Sequence, residues 1–171
     1  GGVLTVFGKV HIFASHYDGM SAALSVTSGT LTVKGSGSLR LYGSGVPALR
    51  VSSSAAIAFD LTPNGSDSQL TISSSGNTAV KGDLTILDAD GVLIGTSHFL
   101  SEDSTEVYHT IAGSAVIHAN DVNLSNRANG ACIRGDLTVE AADSVQIINE
   151  SKTTAALTGG AYRIKTDDLN M

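Results

Sequence analysis

Short runs in which apolar and polar residues alternate recur along the whole chain. Leu31-Thr32-Val33 is followed, after five residues, by Leu39-Arg40-Leu41, and the same arrangement returns at 84–94 and at 137–147. Alternate residues are aliphatic, and most of the residues between them are Thr, Ser, Lys or Arg, as in a half-buried β-strand. No segment has the caps and spacing of an amphipathic helix. The pattern predicts an all-β protein.

Two spacings show that these runs are repeats. The three copies begin at residues 31, 84 and 137, which are 53 residues apart and therefore too distant for one solenoid turn. A finer series consists of a small or polar residue followed by an aliphatic one, and its aliphatic members are Leu24, Leu49, Val80, Ile111, Ile133 and Leu157. Its steps of 22 to 31 residues suit single rungs of a parallel β-helix.

A rung of this length cannot bury its apolar face alone, so the rungs must stack to form a core. We therefore predict one domain over residues 1–171, a single-stranded right-handed parallel β-helix (β-solenoid) with about six to seven irregular rungs. A β-sandwich is the alternative architecture, because regularly spaced short strands are also typical of sandwiches.

Composition narrows the classes of function. Only 15% of the residues are charged, the net charge is −6, and the 10 Lys and Arg residues are scattered singly. Without a clustered basic face we expect no nucleic-acid binding. The apolar runs are shorter than the ~18 residues of a membrane helix, so we expect no membrane span. The chain begins with Gly1-Gly2 rather than Met, and we expect it to be a fragment of a longer surface protein.

Two phrases carry a resemblance to a known family. Gly82-Asp83-Leu84-Thr85-Ile86 and Gly135-Asp136-Leu137-Thr138-Val139 each follow a small residue and an aliphatic one. This pattern resembles the parallel β-helical carbohydrate-binding surface proteins of anaerobic bacteria. The resemblance implies a non-catalytic, extracellular, cell-surface protein that binds polysaccharide or a host or cell-surface glycan, with calcium involved in some members. The rungs here are less regular than in that family, so no ligand residue is carried over.

Longer steps in the series indicate two insertions, around 60–69 and 95–109. Because consecutive rungs stack, we expect both insertions on one flank. Function in repeat proteins often lies in such insertions. The second insertion holds the densest mixture of polar and aromatic side chains, and a solvated loop without a ligand is the alternative. The candidate ligand-binding residues are His98, Glu102, Asp103, Glu106, Tyr108 and His109.

Asp88-Ala89-Asp90-Gly91 has the look of a calcium loop, since Ca²⁺ prefers several carboxylate and carbonyl oxygens on one turn. Asp88 and Asp90 are the candidate metal ligands. The further acidic residues of a full calcium loop are missing, however, and a simple turn explains the same residues better. Calcium is the one cofactor that the sequence suggests.

No catalytic residue is predicted. Asp83 and Asp136 occupy equivalent repeat positions, but a Gly-Asp corner explains their recurrence more simply than paired catalytic carboxylates do. The single cysteine, Cys132, stands where other rungs have Ala, which favours a small core residue over a nucleophile.

Three hypotheses for function follow. The first is a surface module that binds polysaccharide. The second is a structural stalk or adhesin repeat without sugar binding. The third is a carbohydrate-active enzyme on a β-helix. The sequence does not identify the ligand, the oligomeric state or the number of further rungs.

Overall fold

A computed structural model describes residues 1–61, 68–97, 106–151 and 154–171 of the chain. It is an all-β parallel solenoid of about six complete turns followed by a partial seventh. The rungs stack into three parallel sheets, which we call the first, second and third sheet, and the partial seventh rung has strands in the first two only. The predicted β-solenoid is confirmed.

The strands are numbered in chain order. The first sheet contains β1 (Gly2–Val6), β4 (Gly29–Gly35), β7 (Ala55–Asp60), β10 (Leu84–Asp88) and β17 (Tyr162–Lys165). The second sheet contains β2 (Lys9–Ser15), β5 (Ser38–Ser44), β8 (Gln69–Ser75), β11 (Gly91–Ser97) and β18 (Asp168–Asn170). The third sheet contains β3 (Leu24–Val26), β6 (Leu49–Val51), β9 (Val80–Lys81), β12 (Ile111–Ala112), β14 (Ile133–Arg134) and β16 (Leu157–Thr158).

Two long strands, β13 (Ala115–Arg127) and β15 (Leu137–Asn149), run from the first sheet into the second and join the two sheets. A single turn of 3-10 helix, η1 (His16–Asp18), follows β2. Among the described residues, no helix is long and apolar enough to cross a membrane.

The core consists of aliphatic rows that run along the solenoid axis. In the first sheet, one row connects Val33, Phe59, Ile86, Ile117 and Val139 on successive rungs, and all five are at most 1% exposed. Similar rows line the other two sheets. Each strand buries alternate residues because successive side chains of a strand point to opposite faces. The core therefore forms only when rungs stack.

The register explains both spacings in the sequence. The six aliphatic residues of the finer series all lie in the third sheet, each paired with its counterpart on the next rung. The copies that begin at Leu31, Leu84 and Leu137 lie in β4, β10 and β15, with one rung between each pair. A spacing of 53 residues is thus two rungs.

The corner between the third and first sheets, which we call the glycine corner, requires close backbone approach. A Cβ atom on Gly113 would lie 2.3 Å from the carbonyl oxygen of Gly82, and one on Gly135 would lie 2.5 Å from that of Gly113. Asp83 Oδ1 accepts a hydrogen bond from the Ser114 N–H (2.8 Å) one rung further on. Asp136 Oδ1 accepts one from the Ala161 N–H (2.8 Å) in the same way. The corner explanation of the Gly-Asp repeats is confirmed.

The two insertions are not adjacent. Residues 62–67 and 98–105 lie outside the described residues, but the strands beside them are described. The first insertion precedes β8, whereas the second follows β11, and these strands are parallel neighbours. The two insertions therefore join opposite ends of the second sheet, and the expectation of one shared flank is wrong.

Candidate functional site

A polar recess lies at the corner between the first and second sheets, alongside rungs four to seven. Its volume is about 600 Å³, which is within the range of about 300–1,000 Å³ that is usual for ligand sites. We call it the corner cleft. Its polar lining residues are Asp88, His118, Asn120, Glu140, Lys165, Thr166 and Asp167.

Small side chains and a β-bulge create this space. Ala119, Ala141 and Ala142 form the apolar part of the lining. Where β13 and β15 pass the corner, the register shifts, so that Asn120 faces the two residues Ala142 and Asp143. A bulge of this kind bends the strand and redirects side chains. The shift leaves Ala142 and Asp143 at the surface.

A row of ionisable residues follows the first-sheet side of the cleft. His118, Glu140 and Lys165 are paired in register on three successive rungs. Lys165 Nζ donates a hydrogen bond to Glu140 Oε1 at 2.6 Å. That hydrogen bond and the charge of Lys165 lower the pKa of the Glu140 carboxyl, to which the charge of His118 also contributes. The row presents a carboxylate flanked by groups that donate hydrogen bonds.

On the other side of the cleft, an amide side chain links two rungs. Asn120 Nδ2 donates to Asp90 Oδ1 at 2.8 Å, which ties rung five to rung four. The pair leaves the Asn120 carbonyl oxygen available as an acceptor. Thr166 Oγ1 is held by the carbonyl oxygens of Asp143 and Asp168. The cleft thus offers carboxylate, amide, hydroxyl and ammonium groups from consecutive rungs.

The candidate calcium ligands Asp88 and Asp90 are only partly buried, and they have separate environments. Asp88 lines the corner cleft, whereas Asp90 Oδ1 accepts the hydrogen bond from Asn120. Within the described ranges, no group of three or more His, Cys, Asp or Glu side chains is arranged to hold a metal ion. Calcium binding by these two residues stays a prediction.

Three of the six candidate loop residues, His98, Glu102 and Asp103, lie outside the described residues. Glu106 and Tyr108 form a surface pair in which the Tyr108 hydroxyl donates to Glu106 Oε2 at 2.6 Å. This hydrogen bond, with some burial and the charge of Glu106, raises the pKa of Tyr108 to about 12. Their role in ligand binding stays a prediction.

His109 has a structural partner. Its Nδ1 accepts a hydrogen bond from the Ala131 N–H at 3.1 Å, and its carbonyl oxygen accepts one from Thr96 Oγ1 at 2.9 Å. Burial lowers the pKa of the His109 imidazole, and the charge of Arg134 lowers it further. The neutral ring therefore helps to hold the corner between the second and third sheets.

Cys132 is fully buried, and burial raises the pKa of its thiol to about 12. A reactive cysteine needs the thiolate form at physiological pH. The interpretation of Cys132 as a small core residue is confirmed by its place among the core side chains.

Sequence reasoning missed the corner cleft because its residues are far apart in the chain. A signal was nevertheless present in the repeat. Once the copies at 115–118 and 137–140 are aligned by their aliphatic positions, His118 and Glu140 fall into one column. The loop at 95–109 drew attention by its composition, whereas the cleft is visible only in the alignment of rungs.

The comparisons with known proteins add no homologue to this description. No protein-family model, curated protein sequence or solved structure matches the chain. The resemblance to bacterial carbohydrate-binding surface proteins is supported only as far as the parallel β-solenoid fold.

Proposed function

We propose that this protein is a non-catalytic, extracellular surface module that binds polysaccharide in the corner cleft. The observation that carries the proposal is the cleft itself, in which four consecutive rungs supply polar groups to one continuous recess. Rungs are about 4.8 Å apart, so equivalent side chains form an evenly spaced row. Such a row suits a ligand that is itself a repeating chain of hydroxyl-bearing rings.

The chemistry of the lining fits sugar hydroxyls. Carboxylates such as Asp167 accept hydrogen bonds, Lys165 donates them, and amides and hydroxyls do both. The described cleft lining contains no Phe, Tyr or Trp side chain on which a sugar ring could stack. Binding then rests on hydrogen bonds, each with a small net free energy because water is displaced. We expect a weak site whose strength grows with the length of the polymer.

The test is a polysaccharide array probed with the intact chain, once with calcium and once with a chelator. Asp167→Ala and Lys165→Ala should each weaken binding about tenfold, the cost of roughly one strong hydrogen bond. Asp18→Ala is the matched control, because Asp18 lies in η1 and is exposed outside the cleft. Loss with Glu106→Ala or Tyr108→Phe, but not with the cleft variants, would instead place the site at the loop.

A second candidate function is a structural stalk or adhesin repeat. It is favoured by the uninterrupted aliphatic rows, which make a stiff rod of stacked rungs. If no polysaccharide on the array binds, and the cleft variants behave in solution as the unaltered chain does, the stalk is favoured. Release of new reducing ends from a bound polymer would overturn both proposals in favour of an enzyme.

A further inference from the structure

On the outer face of the second sheet, the residue types are arranged almost symmetrically about the central rung. In one row along the axis, successive rungs two to six carry Tyr42, Ser73, Gly95, Ser125 and Ile148. Tyr42 and Ile148 are both large, serines stand between them and the central glycine, and Phe13 continues the row on rung one. Rung four, which contains β11, is the centre of the pattern.

The two neighbouring rows have the same centre. One row contains, on rungs one to seven, Lys9, Ser38, Gln69, Gly91, Asp121, Ser144 and Asp168. When this row is reversed, Ser38 lies opposite Ser144, Gly91 lies opposite itself, and the amide of Gln69 lies opposite the carboxylate of Asp121. The cation Lys9 then lies opposite the anion Asp168. Both charged side chains are exposed, and neither forms an ion pair with another described residue.

The middle row runs from Arg40 through Thr71, Leu93 and Asn123 to Gln146. Reversal places Arg40 opposite the amide of Gln146, and Thr71 opposite Asn123. Leu93 would face itself. It is 44% exposed and stands between the glycines of β11, beside a shallow groove of about 280 Å³ at Gly91.

We propose that two copies of this chain associate through the second-sheet face, related by a two-fold axis that lies in the interface along β11. The solenoid axes are then antiparallel, and rung one of each copy lies against rung seven of the other. A closed two-fold interface must be self-complementary, with each residue facing the counterpart of its own partner. Lys9 meets Asp168 twice, and the two Leu93 side chains meet on the axis, next to the groove at Gly91.

The size of the face sets the expected strength. Seven rungs and a seven-residue strand give a footprint of about 29 Å by 20 Å, or roughly 600 Å² per copy. The total of about 1,200 Å² is at the lower limit of specific interfaces. We expect a dimer with a dissociation constant in the micromolar range.

Sedimentation velocity of the intact chain, from micromolar to millimolar concentration, tests this proposal. Lys9→Glu and Asp168→Lys should each raise the dissociation constant about tenfold, since each turns two attractions into two repulsions. The double variant restores both pairs with reversed sign and should recover dimerisation. Lys34→Glu is the control, because Lys34 is exposed on the first sheet.

A cross-linking experiment locates the axis. Opposed sheets pack about 10 Å apart, so a short bis-maleimide should join two copies of Leu93→Cys but not two copies of Leu87→Cys. Leu87 is equally accessible, at 53% exposure, but lies on the first sheet. A chain that stays monomeric at millimolar concentration overturns the proposal. So does a dimer that ignores the charge exchange and links through position 87.

Discussion

Two Gly→Ala substitutions, one at the glycine corner and one in the second sheet, have opposite expected outcomes. Replacing Gly by Ala stabilises a compatible site by about 0.4–1 kcal/mol, because the unfolded chain loses conformational freedom. Gly91 is such a site, since the nearest atom to an added Cβ is Gln69 Cγ at 3.5 Å. At Gly113 the added Cβ would lie 2.3 Å from a backbone oxygen of Gly82.

The cost at Gly113 follows from the hydrogen bonds beside it. To restore ordinary contact, the two rungs must separate locally by about 1 Å, since packed carbon and oxygen atoms approach no closer than roughly 3.4 Å. That movement breaks the bonds from Gly82 N–H to the Ala112 carbonyl (3.1 Å) and from Leu84 N–H to the Ser114 carbonyl (2.9 Å). At about 1 kcal/mol each, the loss is about 2 kcal/mol.

Urea unfolding of both variants at one low protein concentration measures the difference. With a slope of about 2 kcal/mol/M for a domain of this size, Gly113→Ala should lower the midpoint by about 1 M. Gly91→Ala should leave the midpoint unchanged or raise it slightly. Midpoints for the two variants within a few tenths of a molar of each other would refute the close-packed corner as a source of stability.

Three further predictions concern groups at the other corners. The pKa of His109 is lowered in the folded state. Its contribution to the free energy of unfolding is therefore complete above about pH 6.5 and is lost as the pH falls through the folded-state pKa. The free energy of unfolding should therefore drop as the pH falls below about 6.5, and drop less in His109→Gln. Cys132 should resist thiol labelling at about pH 8 in the native protein and react only on unfolding, so rapid labelling would contradict its burial. Asn126 is fully buried and bonds to three backbone groups; Asn126→Ala should cost about 3 kcal/mol, measured by thermal denaturation.

The architecture could be predicted because each repeat contains short segments in which apolar and polar residues alternate. The aliphatic positions from Leu24 to Leu157 are enough to mark one whole sheet. The unbroken strands β13 and β15 could not be predicted in the same way. The bends at Ala119 and Ala141 lie inside unbroken strands, beside a register shift that no glycine marks in the sequence.

The candidate binding surfaces were harder to predict for a different reason. The corner cleft joins residues such as Asp88, His118 and Lys165, whose neighbours in space are one rung apart and therefore some 22 to 31 residues apart in sequence. Which outward positions coincide depends on the exact register at each rung, and two insertions disturb the count. Composition singled out the loop at 95–109 instead, where the structure provides the Glu106–Tyr108 pair and the structural role of His109.

Because the strands pair over different lengths, the rungs should detach in a fixed order under mechanical load. β15 is held to β13 by 11 registered residue pairs, but only four pairs hold β17 to β15 and three hold β18. Tension applied between the termini should therefore peel the solenoid from the last rung inward. Each detached rung of 22 to 31 residues would release roughly 70–110 Å of extended chain. In an optical trap, the molecule should lengthen in discrete steps, and the sizes of successive steps should follow the rung lengths from the last rung to the first.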